Sequence, residues 1–125
     1  MSVNIDLVTA FCKAWSRRDV EELIDYFTED AIYHNMPGPP IEGKSAIKTI
    51  LQQILVPTTW AEWEMLNIAE VGDVVLTERV DRFDVAGKRV ELPVAGVFEI
   101  EGGKIKAWRD YFDMATWTRQ TAPTG

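Results

Sequence analysis

The sequence predicts an α+β domain in which N-terminal helices pack on one face of a curved, mainly antiparallel sheet. Two observations lead to this class. Before residue 57 the apolar residues recur at three- and four-residue steps, as in amphipathic helices, and after residue 60 they alternate with polar residues, as in strands. Helices followed by a run of strands are typical of α+β domains. A chain of 125 residues can bury one core around a small pocket, so we expect a single domain over residues 1–125.

The first half of the chain contains three predicted helices. The first covers residues 5–15, where the apolar residues follow the helical period. The second begins at an Asp19 N-cap, because Glu22 follows three residues later as in a capping box, and we expect it to reach about Phe27. The third is expected between residues 43 and 57, with isoleucine and leucine side chains as its buried stripe.

An extended segment lies between the second and third helices. Residues 31–40 contain three prolines and one glycine, which interrupt regular structure. In an extended chain Tyr33 and Asn35 project from one face and His34 from the other. We expect His34 to be structural or exposed.

The second half of the chain predicts four strands in consecutive hairpins, which form an antiparallel meander. Turn residues separate these strands near positions 72–73, 86–87 and 102–103. After Met114 we expect a short turn around Trp117 and then a tail over residues 121–125.

Composition and charge exclude several classes of function. The net charge of −7 would repel a phosphate backbone, so we expect no nucleic-acid partner. No apolar run could cross a bilayer and the N-terminal residues lack the pattern of a signal peptide, so we expect no membrane association and a cytoplasmic location. One cysteine and one histidine cannot build a thiolate or imidazole zinc site, and no phosphate-binding glycine loop occurs. An all-carboxylate metal site stays open but has no motif behind it. We therefore expect no metal, no cofactor, and chemistry done by carboxylates.

The candidate site centres on one arginine and two aspartates. Arg79 and Asp81 lie two residues apart in a predicted strand, so they project from one face, and Asp110 lies among large apolar residues on the last strand. Burial raises a carboxyl pKa and an arginine lowers it, so unequal environments can leave one acid protonated and the other ionised at neutral pH. This pattern is typical of acid–base catalysis. The alternative is a buried ion pair that only satisfies itself.

The register of the predicted hairpins decides whether these residues meet. If the turn at 86–87 has two residues or is a symmetric four-residue turn, Arg79 pairs with Val94. If residues 101–103 form a three-residue loop with Gly103 left-handed, Val94 pairs with Asp110. The three residues would then form one row across three strands. A two-residue turn at 102–103 would instead place Asp110 on the opposite face.

The remaining candidate residues are a water-holding pair and an apolar wall. Tyr33 and Asn35 could hold a water molecule for a carboxylate base, although each residue alone is more often a packing or turn residue. An apolar wall suits a small hydrophobic molecule. Its candidate residues are Ile54, Phe83, Leu92, Val94, Phe112 and Trp117.

Three motifs in combination resemble those of the limonene-1,2-epoxide hydrolase family. They are Tyr33-His34-Asn35-Met36-Pro37, Thr77-Glu78-Arg79-Val80-Asp81 and Gly103-Lys104-Ile105-Lys106-Ala107-Trp108-Arg109-Asp110-Tyr111-Phe112-Asp113. The similarity spans the chain from the first helix to about Trp117. The resemblance implies a cone-shaped α+β fold of the nuclear-transport-factor-2-like, or SnoaL-like, kind. It also implies a homodimer and cofactor-free, one-step hydrolysis of an epoxide to a vicinal diol.

The same resemblance implies a role for each polar candidate. Asp110 is the general base on a water molecule that Tyr33 and Asn35 also hold, Asp81 is the general acid that protonates the epoxide oxygen, and Arg79 bridges the two aspartates. No covalent ester forms. The expected substrates are water and a small hydrophobic epoxide similar to limonene-1,2-epoxide.

Two other functions stay open at this point. The fold family also contains isomerases that use a carboxylate base with a tyrosine and a protonated acid as oxyanion donors. Arg79 argues against this chemistry, because a cation tends to keep Asp81 ionised. The other alternative is a non-catalytic ligand-binding or dimerisation module. Formation of a diol would indicate the hydrolase, a shifted double bond would indicate the isomerase, and binding without turnover would indicate the non-catalytic module.

Overall fold

The computed structural model describes residues 2–123, which contain four α-helices. They are α1 (Val3–Ala14), α2 (Val20–Ile24), α3 (Lys44–Leu55) and α4 (Met114–Thr121), and a short 3-10 helix, Trp15–Arg17, follows α1. The Asp19 side chain accepts hydrogen bonds from the backbone N–H groups of Glu21 and Glu22, so the predicted N-cap of α2 is confirmed. No helix in this part of the chain is long and apolar enough to cross a membrane.

Six strands form one curved, open sheet, so the predicted α+β class is confirmed. The strands are β1 (Phe27–Asn35), β2 (Ile41–Glu42), β3 (Thr58–Val71), β4 (Val74–Val85), β5 (Lys88–Glu101) and β6 (Lys104–Tyr111). Their spatial order is β2-β1-β6-β5-β4-β3. All neighbouring pairs are antiparallel except β1 and β6, which run parallel.

The sheet begins earlier in the chain than the sequence predicts. The expectation that α2 reaches Phe27 is wrong, because α2 ends at Ile24 and Phe27 is the first residue of β1. The first half of the segment 31–40, expected only to be extended, belongs to β1, and β2 follows the segment at residues 41–42, so the sheet has six strands and not four. The reason is tertiary. In β1 the side chains of Phe27, Ala31 and Tyr33 are buried, and its backbone pairs with β6. The free energy gained from this burial and pairing exceeds what a longer α2 would contribute, because a short helix is only marginally stable.

The C-terminal region is more regular than expected. The predicted short turn around Trp117 is the eight-residue helix α4, whose N-cap Asp113 accepts a hydrogen bond from the Ala115 N–H. Of the predicted tail, Thr121 is the last helical residue, and Thr124 and Gly125 lie outside the described residues.

The last hairpin differs from the sequence prediction. β4 pairs with β5 so that Arg79 lies opposite Val94, as predicted. Gly102 and Gly103 both have positive φ, 57° and 77°, and form a two-residue turn instead of the expected three-residue loop. Two positive φ angles in succession are what the tightest hairpin turns require, and glycine adopts them without strain.

A β-bulge in β6 adds a second one-residue shift to that of the shorter turn. Near Lys106, β6 contains one residue more than β5, and the pairing shifts by one. Beyond the bulge Asp110 pairs with Gly96 and not with the predicted Val94. Because the two one-residue shifts add up to two residues, and side chains alternate with a period of two, Asp110 still faces the same side of the sheet as Arg79, at a diagonal position.

The core fills the space between the helices and the inner face of the sheet. Phe11 of α1 lies at its centre and makes edge-on contacts with the rings of Trp15, Tyr26, Phe27, Phe98 and Trp108. These aromatic pairs stabilise the packing beyond the area they bury. Cys12 lies in the same core, where burial raises the pKa of its thiol to about 12, so it is a protonated packing residue.

Candidate active site

A cavity of about 220 Å³ lies between the inner face of the sheet and the helices. All six predicted wall residues line it, namely Ile54, Phe83, Leu92, Val94, Phe112 and Trp117. Four of the predicted polar residues, Tyr33, Asn35, Asp81 and Asp110, line it as well. Trp15, Trp63 and Met114 complete the wall and were not among the candidates. The polar groups therefore face a predominantly apolar space.

Arg79 connects the two aspartates at the edge of this cavity. Its Nε and Nη2 atoms donate to Oδ1 and Oδ2 of Asp81 at 2.9 and 2.8 Å. Its Nη1 and Nη2 atoms donate to Oδ1 and Oδ2 of Asp110 at 3.2 and 2.9 Å. The second Nη1 hydrogen is directed to Thr77 Oγ1 at 3.1 Å. All five N–H groups of the guanidinium are thus used, and its orientation is determined completely.

The guanidinium is removed from water and enclosed by aromatic rings. Arg79 is 1% exposed, and its Cζ atom lies 4.6 Å from the ring centre of Trp63. Trp63 in turn stacks on Trp15, with ring centroids 4.3 Å apart. Burial opposes the charge, but Asp110 and Asp81 overcome it and raise the pKa of Arg79 well above its usual value. The arginine is therefore a permanent cation between two carboxyl groups.

Gly96 makes this arrangement sterically possible, and the sequence analysis missed it. Gly96 is the β5 residue between Thr77 on β4 and Asp110 on β6. A Cβ atom there would overlap Arg79 Nη1 and lie 2.7 Å from Asp110 Oδ1 and 2.8 Å from Thr77 Oγ1. Only a residue without a side chain lets the guanidinium cross β5. A glycine inside a strand, away from any turn, was the available signal.

Trp108 holds Asp110 from the other side and was considered only as an apolar neighbour. Its Nε1 atom donates to Asp110 Oδ1 at 2.7 Å, and the indole is fully buried. The spacing of two residues on one strand places both side chains on one face, so this contact could have been inferred. Asp110 consequently keeps a fixed orientation with its Oδ2 atom bound to Arg79.

The environment of Asp81 favours its protonated form. Burial, and to a smaller extent the charge of Asp110, raise the pKa of this carboxyl to about 6 against the opposing effect of Arg79. Two carboxyl groups beside one guanidinium carry an excess negative charge, which a proton on Asp81 neutralises. Asp81 can therefore be a proton donor close to neutral pH.

Tyr33 and Asn35 lie next to Asp110 on the parallel strand β1. Asn35 is the direct partner of Asp110 in the β1–β6 ladder, and the Met36 N–H donates to the Asp110 carbonyl at 2.9 Å. The Tyr33 ring stacks on Trp108 with centroids 4.2 Å apart. Burial, and then the charge of Asp110, raise the pKa of Tyr33 well above its usual value, so its hydroxyl keeps its proton.

The two carboxyl groups of the site can hold and transfer protons. Among residues 2–123 no group of three or more His, Cys, Asp or Glu side chains is arranged to hold a metal ion. Both carboxyl oxygens of Asp81 and both of Asp110 accept hydrogen bonds from Arg79, and Asp110 Oδ1 also accepts one from Trp108. The arrangement can deliver a proton from one carboxyl and accept one at the other.

Comparison with known proteins points to one family. A sequence model described as the limonene-1,2-epoxide hydrolase catalytic domain matches residues 2–123. The chain is 34% identical over 107 residues to epoxide hydrolase EphG of Mycobacterium tuberculosis, covering 86% of this chain and 71% of EphG. A solved structure of an M. tuberculosis LEH-like epoxide hydrolase superposes with a TM-score of 0.83 at 31% identity, covering 94% of this chain and 88% of the other.

More distant structures share the fold alone. A SnoaL-like polyketide cyclase from Shewanella putrefaciens superposes with a TM-score of 0.86 at 17% identity, covering 98% of each chain. The expected SnoaL-like, nuclear-transport-factor-2-like fold is therefore confirmed.

Proposed function

This chain belongs to the limonene-1,2-epoxide hydrolase family, and we propose that it adds water to a small hydrophobic epoxide to give a vicinal diol. The observation that supports this most directly is the Arg79 guanidinium, which binds both Asp81 and Asp110 beside an apolar cavity. An acid and a base held apart at fixed positions are the groups that concerted ring opening needs.

In the proposed reaction Asp81 is the general acid. Its proton passes to the epoxide oxygen as the bond between that oxygen and one ring carbon breaks. The raised pKa of Asp81, about 6, supports this role because a usable fraction of the carboxyl is protonated at neutral pH. Positioned acids and bases each contribute about 10²- to 10⁴-fold in rate.

Asp110 is the general base in the same step. It takes a proton from a water molecule while the water oxygen forms a bond to the ring carbon that is losing its C–O bond. Tyr33 and Asn35 hold this water beside the carboxylate, and the Trp108 N–H and Arg79 keep the carboxylate oriented. The turnover leaves Asp81 ionised and Asp110 protonated, and exchange with solvent restores both. No covalent ester and no cofactor take part.

The cavity supports a small, apolar substrate. Its volume of about 220 Å³ lies below the roughly 300 to 1,000 Å³ that pockets for drug-sized ligands have. Its wall is formed by the six predicted apolar residues together with Trp15, Trp63 and Met114. A monocyclic terpene epoxide such as limonene-1,2-epoxide has the matching chemistry, because it offers one oxygen to Asp81 and hydrocarbon to the wall.

We propose further that the protein is a homodimer and acts in the cytoplasm. Apolar residues on the outer face of the sheet support an interface, since Ile32, Leu76 and Tyr111 are 40%, 42% and 44% exposed. A single, buried cysteine suits a reducing compartment.

A product assay tests the proposed reaction. Purified protein is incubated with limonene-1,2-epoxide, cyclohexene oxide and a β,γ-unsaturated ketosteroid, and the products are identified by mass spectrometry. Diol from the epoxides, with the ketosteroid unchanged, is the expected result. In a single turnover with excess enzyme in ¹⁸O-labelled water, the first diol should already carry the label. An unlabelled first diol would indicate an enzyme ester and contradict the direct attack of water.

Substitution of each aspartate tests the assigned roles. We expect Asp81→Asn and Asp110→Asn each to lower kcat/KM for diol formation by at least about 100-fold. Circular dichroism should show an unchanged fold. Asp84→Asn is the matched control, since Asp84 is on β4 but pairs with Arg89 in a solvent-accessible contact. Near-normal turnover by either folded active-site variant would reject the mechanism.

A further inference from the structure

Helix α4 forms one side of the cavity, yet it is weakly attached to the rest of the molecule. Met114 and Trp117 line the cavity, and Trp117 packs edge-on against Phe83 with ring centroids 6.1 Å apart. No residue of α4 is buried. A helix of eight residues is not stable by itself in water. Contacts with the sheet must therefore hold it in place.

The carboxamide of Gln120 supplies a specific attachment. Its Oε1 atom accepts a hydrogen bond from the Glu91 N–H at 2.7 Å, and its Nε2 atom donates to the Glu91 carbonyl at 2.9 Å. Within residues 2–123 no other hydrogen bond or ion pair joins α4 to the sheet. Gln120 follows Trp117 by three residues, so the two side chains lie on the same face of the helix.

The edge of β5 explains why this bond pair forms. β6 ends at Tyr111, opposite Ala95, so the part of β5 before Ala95 has no neighbouring strand on that side. The N–H and C=O groups of Glu91 would be unpaired there, and the amide of Gln120 replaces one peptide group of the missing strand. Glu91 directly precedes Leu92, which lines the cavity. The attachment therefore lies next to the wall that it stabilises.

We propose that Gln120 is the positioning residue that holds α4 closed over the cavity and so sets the size of apolar epoxide that the site accepts. This proposal rests on the proposed function and adds a determinant of substrate size to it. Gln120 does not line the cavity and touches no reacting group. It acts through Trp117 and Met114, whose side chains form the wall on that side.

The test compares three variants of the full chain. Gln120→Met keeps the length of the side chain and removes both hydrogen bonds, while Gln120→Glu retains only the acceptor for the Glu91 N–H. The control is Arg119→Met, because the Arg119 side chain is exposed and makes no hydrogen bond or ion pair within the described residues. Hydrogen–deuterium exchange of the α4 amides measures closure directly. KM and kcat are measured with limonene-1,2-epoxide and with the smaller cyclohexene oxide.

Loss of two ordinary hydrogen bonds should increase exchange in α4 of Gln120→Met by roughly tenfold or more, with β4 and β5 unchanged. We expect its KM for limonene-1,2-epoxide to rise about fivefold because apolar contact with the wall weakens. Its kcat, and its KM for cyclohexene oxide, should change less than about twofold, since the carboxylates are held by the sheet. Gln120→Glu should lie between Gln120→Met and the wild type, and Arg119→Met should equal the wild type.

Three results would overturn the proposal. The first is unchanged exchange in α4 of Gln120→Met. The second is an equal rise of KM for both epoxides, and the third is a fall in kcat without a change in KM. If the wild-type protein opens no epoxide, the proposed function fails, and the exchange experiment still decides whether Gln120 holds α4.

Discussion

At the scale of single residues, the site depends on how three buried charges share one location. A buried charge is costly unless it is paired and hydrogen-bonded, and Arg79 satisfies both aspartates with bidentate contacts. The pairing leaves one negative charge in excess. Burial, together with the charge of Asp110, raises the pKa of Asp81 to about 6, so a proton on Asp81 can neutralise this excess close to neutral pH.

The raised pKa of Asp81 predicts how activity depends on pH. Catalysis needs the protonated form, and the fraction of that form falls as the pH rises through the pKa of about 6. We expect kcat/KM for diol formation to decrease above about pH 6 and to approach a tenfold loss per pH unit. A stopped assay with limonene-1,2-epoxide from pH 5 to pH 9 measures this. A flat profile over that range would contradict the role of Asp81 as the acid.

Replacement of Gly96 tests the steric requirement at the centre of the site. In Gly96→Ala the added Cβ overlaps the Arg79 guanidinium and crowds Asp110 Oδ1, so the ion pairs must separate. We expect kcat/KM to fall about 100-fold and the free energy of unfolding to fall by about 1 to 3 kcal/mol. Assays of diol formation and urea denaturation measure the two effects.

Gly38→Ala is the matched control for this substitution. The nearest atom to a Cβ at Gly38 is the Asn35 carbonyl oxygen at 3.8 Å, which is an ordinary contact. It should therefore retain activity. If Gly96→Ala is equally active, the overlap is relieved by movements that the site tolerates, and the inferred requirement for glycine is wrong.

At the scale of secondary-structure elements, small local features determine which side chains meet. The two-residue turn at Gly102 and Gly103 and the bulge near Lys106 each change the register by one residue, and together they return Asp110 to the inner face. Short helices depend in the same way on single caps. α2 has five residues, and Asp19 satisfies two of its free N–H groups.

The cap of α2 predicts a measurable effect on stability. Asp19→Ala removes the acceptor that lies 3.0 Å from the Glu21 N–H, so the first turn of α2 loses its capping bonds. We expect the free energy of unfolding to fall by about 1 kcal/mol. Urea denaturation followed by tryptophan fluorescence measures it. Glu62→Ala, an exposed substitution on β3, should change stability by less than about 0.5 kcal/mol, and an equal loss in both variants would argue against a capping effect.

At the scale of the whole molecule, the sheet separates two surfaces with different uses. Its inner face carries the ionised site and the cavity, and its outer face carries exposed apolar residues. Since Arg79 and Asp81 alternate with outward-facing residues on β4, changes on the outer face need not disturb the site.

The proposed homodimer predicts the effect of charges on the outer face. We expect the wild-type protein to have the mass of a dimer in light scattering, and Leu76→Glu combined with Tyr111→Glu to shift it to the monomer, because charges are costly in an apolar interface. Val56→Glu is the control, since Val56 is 85% exposed and is the C-cap residue of α3, outside every strand. A monomeric wild-type protein, or a double variant that stays dimeric, would exclude this interface.

The sequence by itself determined the features that depend on neighbouring residues. Helical and alternating periods predicted the first three helices and strands β3 to β6, and the spacing of two residues predicted that Arg79 and Asp81 share a face. Apolar residues at inward positions predicted the cavity wall. Each of these follows from backbone geometry that repeats over a few residues, so it can be read from a short stretch of sequence.

Only the tertiary structure decided the features that depend on residues far apart in the chain. These are the parallel pairing of β1 with β6, the position of Asp110 opposite Gly96, and the attachment of α4 to β5 through Gln120. Register and packing are set by the free energy of contacts between distant segments, and a local pattern is compatible with several such pairings. The bulge near Lys106 is the clearest case, because pairing with β5 selects it and no residue in β6 requires it.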